Sequence, residues 1–165
     1  GCIQFALKLV ERGINFQYDI IGEGEDLGQL YYLVERNNLQ NKIRILGKIE
    51  NAELKEKLLE YDFFLQLSIS EALSASVIEA QSVGLPCIVS DSDGLPEAVV
   101  ANKSAVVADY HMVDYFVEEC LRIWKDRELY YSYSKCAIEN ANENFSIEKE
   151  TERLISLYQS LTNKK

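Results

Sequence analysis

Short apolar runs alternate along this chain with longer stretches whose apolar residues recur at helical spacing, and that alternation admits few architectures. FQYDII (16–21), KIRIL (42–46), DFFLQL (62–67), PCIVS (86–90) and SAVVA (104–108) read as strands. Helices fit between them. Ile3, Phe5, Ala6, Leu9 and Val10 form one stripe over 2–12, stopped at Gly13, and Leu27, Leu30, Tyr31 and Val34 form another over 25–37. Asn51 is suited to cap a helix reaching about Glu60, and DSDGLPEAVV reads as a loop with a short helix. From His111 the pattern is helical, over 111–125, 127–142 and 146–161, with Ser146 as cap and Ile147, Leu154, Ile155, Tyr158 and Leu161 on one face of the last segment. Short apolar strands alternating with helices predict a parallel sheet covered on both faces. The expected fold is therefore a doubly wound, mostly parallel α/β domain over 1–165 with a helical C-terminal tail.

Charge and special residues narrow the function classes. Acids outnumber bases 27 to 17, a net charge of −10, which repels a phosphate backbone and argues against nucleic acid as partner. Four cysteines, Cys2, Cys87, Cys120 and Cys136, show neither a CxxC pair nor zinc-like spacing, so buried free thiols in a reducing compartment are expected. His111 is the single histidine, which removes support for a Ser/His/Asp triad or a histidine-based metal site. No apolar run reaches the ~18 residues of a membrane span. The sequence opens inside an amphipathic stretch, without an initiator Met, and reads as a piece of a longer protein.

The chemistry concentrates in SISEALSASVIEAQSVG (68–84), where Glu71 and Glu79 stand at the end of one strand and in the helix that follows. In a doubly wound sheet ligands bind outside the carboxyl ends of the strands. Two carboxylates there can accept hydrogen bonds from hydroxyl groups, as a sugar or a ribose would offer. Each has a plainer explanation. Ser76-Val77-Ile78-Glu79 also fits a helix capping box, and Glu71 fits a solvated loop acid. Gly22 and Gly24 suit an ordinary strand-to-helix turn as well as a close ligand approach, and Lys48 suits a surface lysine. Asp91 and Asp93 read as turn formers rather than metal ligands, and Tyr130, Tyr131 and Tyr133 as packing groups.

Taken together, YDIIGEGE, IRILGKIE, DFFLQLSISEALSASVIEAQSVGLPCIVSDSDGLPEAVV and FSIEKETERLISLYQS resemble, in order and spacing, the C-terminal, nucleotide-sugar-binding domain of a GT-B glycosyltransferase of the retaining family 4 type. The resemblance covers nearly the whole chain, and its most specific part is the E-x7-E pair. It implies that Glu71 contacts and orients the donor sugar, as the catalytic contact, and that Glu79 binds the ribose hydroxyls. Backbone groups from Ala72 and Leu73 through Ser74, Ala75 and Ser76 would face the diphosphate at a helix N-terminus, a placement that suits an anion. Gly47, Lys48 and Ile49 would line the base, and Gly22 and Gly24 would pass close to the ligand. It implies no metal and no cofactor beyond the nucleotide-diphosphate sugar itself. The implied partners are an N-terminal domain of the same protein and a glycan or lipid-linked acceptor. The expected setting is the cytoplasm, at the inner face of the membrane through peripheral association, in polysaccharide assembly.

Two departures from the family pattern stand out. Glu71-Ala72-Leu73-Ser74 replaces the usual E-G-F-G, so the loop either takes ordinary backbone angles or carries strain. The family's strand and basic loop ahead of the first helix are absent from these residues. Five strands are thus expected, with an anomaly or an intermolecular contact where 17–21 and 62–67 meet. The fragment alone is expected to be inactive. A hydrolysing nucleotide-sugar epimerase domain and a non-enzymatic receiver-type signalling module share the architecture. The first wants histidine in its cleft, and the second wants acids at the end of the first strand.

Overall fold

The structure, a computed structural model, describes residues 1–162. Helix α1 (Cys2–Glu11) leads into β1 (Tyr18–Ile21), α2 (Leu27–Arg36), β2 (Ile43–Gly47), α3 (Asn51–Leu58) and β3 (Phe64–Gln66). Then follow α4 (Ala75–Ser82), β4 (Cys87–Ser90), a 3-10 turn at Pro96–Ala98 and β5 (Ala105–Ala108). Helices α5 (Val113–Lys125), α6 (Arg127–Phe145) and α7 (Ile147–Thr162) complete the chain. Every strand pairing is parallel, as expected of strands linked by helices. Several elements begin one or two residues inside the sequence reading, as at Tyr18, Leu27, Phe64 and Val113. Asn51 is already the first helical residue of α3, with Glu50 as its N-cap and no side-chain cap bond. That helix ends at Leu58, and α6 runs three residues further, to Phe145, beyond its expected end at 142.

Side-chain alternation along β4 explains why its run is apolar throughout. Ile88 packs with Phe5, Leu9, Val106, Phe116 and Val117 on one face, while Cys87 and Val89 pack with Val77, Leu85, Leu95 and Ala98 on the other. Burial pushes the Cys87 thiol up, and burial followed by the charge of Asp62 pushes Cys120 up to about 12, so both remain neutral core groups. One buried polar network joins α4 and α6 to the 3-10 turn. The Gln81 amide donates to the Ala98 carbonyl at 2.6 Å, and Ser104 and the Asn140 amide both donate to Gln81 Oε1 at 3.0 Å. Asn140 also reaches the Ala98 carbonyl at 2.9 Å. Helix α7 lies outside this core. Its apolar stripe is exposed, with Ile147 at 82% and Tyr158 at 65%, and it buries no residue.

The sheet is interrupted where the sequence places its seam. β1 and β2 form one sheet and β3, β4 and β5 another, in the order β3-β4-β5, with no ladder between β1 and β3. The facing edges of those two strands border a cavity of 760 Å³ lined by Phe5, Leu9, Ile20, Leu58, Phe64 and Leu65 among others. Among the described residues, one polar link crosses it. Asp19 of β1, its side chain fully buried, accepts from Arg44 Nε of β2 at 2.7 Å and from the Tyr61 hydroxyl ahead of β3 at 2.6 Å.

This link makes a prediction about pH. Burial alone would raise the Asp19 carboxyl, but the hydrogen bonds from Arg44 and Tyr61, with the charges of Arg44 and Lys57, bring it below its ordinary value. A depressed folded-state pKa contributes stability that is complete above the unfolded value, near 3.9, and disappears as pH falls through the folded one. The wild type should therefore exceed Asp19→Asn by about 1–2 kcal/mol at pH 7, less than for a fully buried pair because Arg44 is half exposed. Urea midpoints measured between pH 7 and pH 2.5 should converge below about pH 4. A gap that stays constant across that range would show that the carboxylate charge is not what stabilises the seam.

Candidate functional site

β3 ends at Gln66, and the chain then makes a loop, 67–74, before entering α4. Three groups of contacts shape that loop. Ser68 N–H donates to Ser90 Oγ at 3.0 Å, and the hydroxyls of Ser90 and Ser92 donate to the Ser68 carbonyl at 2.6 and 2.7 Å. The Ser70 hydroxyl and the Glu71 N–H both donate to Asp93 Oδ2, at 2.6 and 3.3 Å. Gly94 N–H donates to the Glu71 carbonyl at 3.0 Å. Asp93 itself takes φ +46°, a left-handed value that Asp tolerates. Among the described residues, positive φ outside glycine is confined to Asn38, Asp93 and Asn102, so Ala72, Leu73 and Ser74 adopt ordinary backbone angles. The loop carries no such strain and is fixed instead by side chains and by the neighbouring 91–94 turn.

Gln66 gathers the side chains. Its Nε2 donates to Glu71 Oε2 at 2.9 Å, while its Oε1 accepts from Ser74 Oγ at 2.8 Å and Ser76 Oγ at 3.3 Å. Ser74 and Ser76 share a further bond at 3.0 Å. Gln66, Ser76 and Glu79 also line the top of the seam cavity. The N-cap of α4 is Ser74, and Ser76 is its second residue, so the capping-box reading of Ser76 and Glu79 does not hold. The Glu79 carboxylate accepts no hydrogen bond from the described residues, which leaves both oxygens available. At the start of this helix, the N–H groups of Ala75, Ser76 and Val77 find no acceptor among the described residues. Unpaired N–H groups at the positive end of a helix form an anion seat.

The remaining sequence candidates sit on the other half-sheet. Gly22, at φ +143°, donates its N–H to the Gly47 carbonyl at 2.8 Å, which joins the ends of β1 and β2. Gly47 is left-handed at φ +70°, a conformation that needs glycine, whereas Gly24 is not. Ile49 is half-buried, and Lys48 is exposed with its ammonium 3.9 Å from Glu50. The structure thus brings Glu71, Ser74, Ser76 and Glu79 together, with Ala72, Leu73 and Ala75 on the same loop and helix start. Gly22, Gly24, Gly47, Lys48 and Ile49 form a second group that lines no part of the seam cavity. Gln66, Asp93 and Gly94 were not among the predicted site residues. Gln66 had one readable signal, an amide interrupting an apolar strand.

Residues 2–141 match the sequence model described as "Glycosyl transferases group 1". The chain is 25% identical over 142 residues to an N-acetyl-alpha-D-glucosaminyl L-malate synthase of Bacillus anthracis, covering 86% of this chain and 36% of the relative. It is 29% identical over 140 residues to a UDP-Gal:alpha-D-GlcNAc-diphosphoundecaprenol alpha-1,3-galactosyltransferase of Escherichia coli, covering 84% and 35%. The chain therefore spans about a third of the length of these relatives. Among solved structures, TarM of S. aureus, in complex with Fondaparinux, alpha-GlcNAc-glycerol and UDP, superimposes with a TM-score of 0.85. That match has 22% identity and covers 95% of this chain and 32% of TarM, and so it speaks to the fold. A family match reaching from α1 into α6 and including both the loop that carries Glu71 and the helix that carries Glu79 shows that the chain belongs to the glycosyl transferases group 1 family.

Proposed function

We propose that these residues are the donor-binding domain of a longer enzyme that transfers a sugar, with retention, from a nucleotide-diphosphate sugar to a glycan or lipid-linked acceptor. The observation that carries this is the cluster at the end of β3. Gln66 there joins Glu71 to Ser74 and Ser76, Glu79 lines the same cavity as Gln66, and the start of α4 offers three unpaired N–H groups. In this reading the diphosphate rests on the N–H groups of 73–76, Glu79 holds the ribose hydroxyls, and Glu71 orients the sugar. Gly47, Lys48 and Ile49 lie along the base, with Gly22 and Gly24 beside it. The reading requires no metal. Family membership favours it over a nucleotide-sugar epimerase or a receiver module.

The acceptor side of the cleft belongs to a further domain of the parent, and we place the enzyme at the cytoplasmic face of the membrane, in polysaccharide assembly. The 165 residues alone are then inactive in transfer. The test is calorimetric binding of UDP-glucose, UDP-galactose and UDP-N-acetylglucosamine to the full-length protein and to its Glu79→Ala variant. Loss of two ribose hydrogen bonds to a carboxylate should weaken the preferred donor by about tenfold or more. Equal affinities for every donor would remove Glu79 from the site.

A further inference from the structure

We propose that Gln66 is a positioning residue for the transfer step, setting the rotamer of Glu71 and tying it to the start of α4. The inference rests on the donor reading of Glu71 and goes beyond it in assigning the work to a residue that does not itself touch the donor.

With Ala72-Leu73-Ser74 in ordinary backbone angles, nothing local confines the Glu71 side chain. Glutamate has three side-chain torsions, and a half-exposed one samples many rotamers unless a partner selects among them. Gln66 is that partner, and both ends of its own amide are specified. Ser74 and Ser76 hydroxyls donate to Oε1, and this orients Nε2 toward Glu71 Oε2. Were the amide reversed, an N–H would face two hydroxyls and a carbonyl oxygen would face a carboxylate, a repulsive arrangement. Ser74 is buried, so the anchor of this chain of bonds lies in the core. Because Gln66 sits on the last residue of a paired strand, its backbone is fixed by β4. One carboxylate oxygen is then engaged and the other is left for a ligand. Through Ser76, in the first turn of α4 and three residues ahead of Glu79, the amide is also tied to the helix that carries the second acid.

Methionine has nearly the length of glutamine and cannot donate, so Gln66→Met separates packing from hydrogen bonding. Release of UDP from the preferred UDP-sugar should be followed in the full-length protein for Gln66→Met, Glu71→Gln and the double variant, with melting temperatures as the check on folding. Gln66→Met should lower kcat about tenfold while donor KM changes less than about twofold, and the double variant should be no slower than Glu71→Gln alone. Unchanged kcat in Gln66→Met, with Glu71→Gln impaired, would overturn the positioning role and leave the donor reading standing. Multiplying effects in the double variant would also overturn it, because they would mean that Gln66 acts independently of Glu71. A Glu71→Gln variant as active as wild type would instead remove the donor reading, and the positioning role with it.

Discussion

Replacing Gly94 with alanine should dislodge the Glu71 loop although residue 94 touches no ligand in the proposed site. A Cβ built there falls 2.8 Å from the Ala72 carbonyl carbon and 2.9 Å from the Leu73 nitrogen. Both are backbone atoms, which cannot rotate away as a side-chain tip could. Gly94 does not need glycine for its backbone angles. It needs the absence of a side chain, because two loop segments cross there in contact. The displaced loop must give up the Gly94-to-Glu71 backbone bond and misalign Glu71 against Gln66. Overpacking of this kind costs about 1–3 kcal/mol, and donor affinity should fall by about tenfold or more, since the N–H groups of Leu73 and Ser74 move with the loop. Thermal melts and UDP-sugar calorimetry on Gly94→Ala in the full-length protein measure the two effects. An alanine variant with wild-type affinity and stability would show that the loop yields at no cost.

The second large effect is expected at the seam. β1 pairs only with β2 and β3 only with β4, so the backbone N–H and C=O groups on their facing edges have no ladder. Those edges line an apolar cavity between two helical layers, where unpaired backbone is costly. Helix α1 begins at the carboxyl end of β3, where a side chain at Gly1 would overlap Leu67 and Tyr110. From there it descends over the cavity with Phe5, Ala6 and Leu9 among the lining residues. A strand joined ahead of Gly1 by a short loop could therefore run upward between β1 and β3, parallel to both, in a right-handed crossover. We expect an extension of Val-Ile-Val-Ile-Val and a Gly-Ser-Gly linker to raise amide protection along β1 and β3 about a hundredfold and the melting temperature by about 5 °C or more. The same extension with proline at every position has no N–H to donate and should do neither. Identical behaviour of the two extensions would mean that the cavity rewards apolar bulk and not strand pairing.

Much of the fold was legible because it depends on local pattern. The strand at 86–90 is apolar at every position because β4 is buried on both faces, and a parallel central strand leaves little choice of residue there. Gly13 and Gly47 end their segments in left-handed geometry, as their placement suggested. The cap assigned to Ser146 is present, with Lys149 N–H donating to its hydroxyl at 3.3 Å. Asn51 misled because a good capping residue is equally acceptable one position later, inside the helix. Ser76 misled for a similar reason. The capping-box spacing is satisfied by residues whose helix begins one residue earlier, and the Ser76 hydroxyl turns to Gln66 instead.

The order of elements, the α/β class and the position of the two glutamates after the third strand all follow from the residues in order. Hydrophobic period and turn chemistry act over a few residues and are written directly in the chain. Only the tertiary structure decided how the glutamates are held. Gln66, Asp93 and Gly94 reach the loop across five to more than twenty residues of sequence, and a hydrogen bond or a backbone contact at that range leaves no periodic trace. The seam lies between these two cases. A strand edge without a partner can be suspected from the elements present. Whether the edges close on each other or stay apart depends on the helices packed above and below them, and here side chains of α1, α3 and α5 line the gap between them.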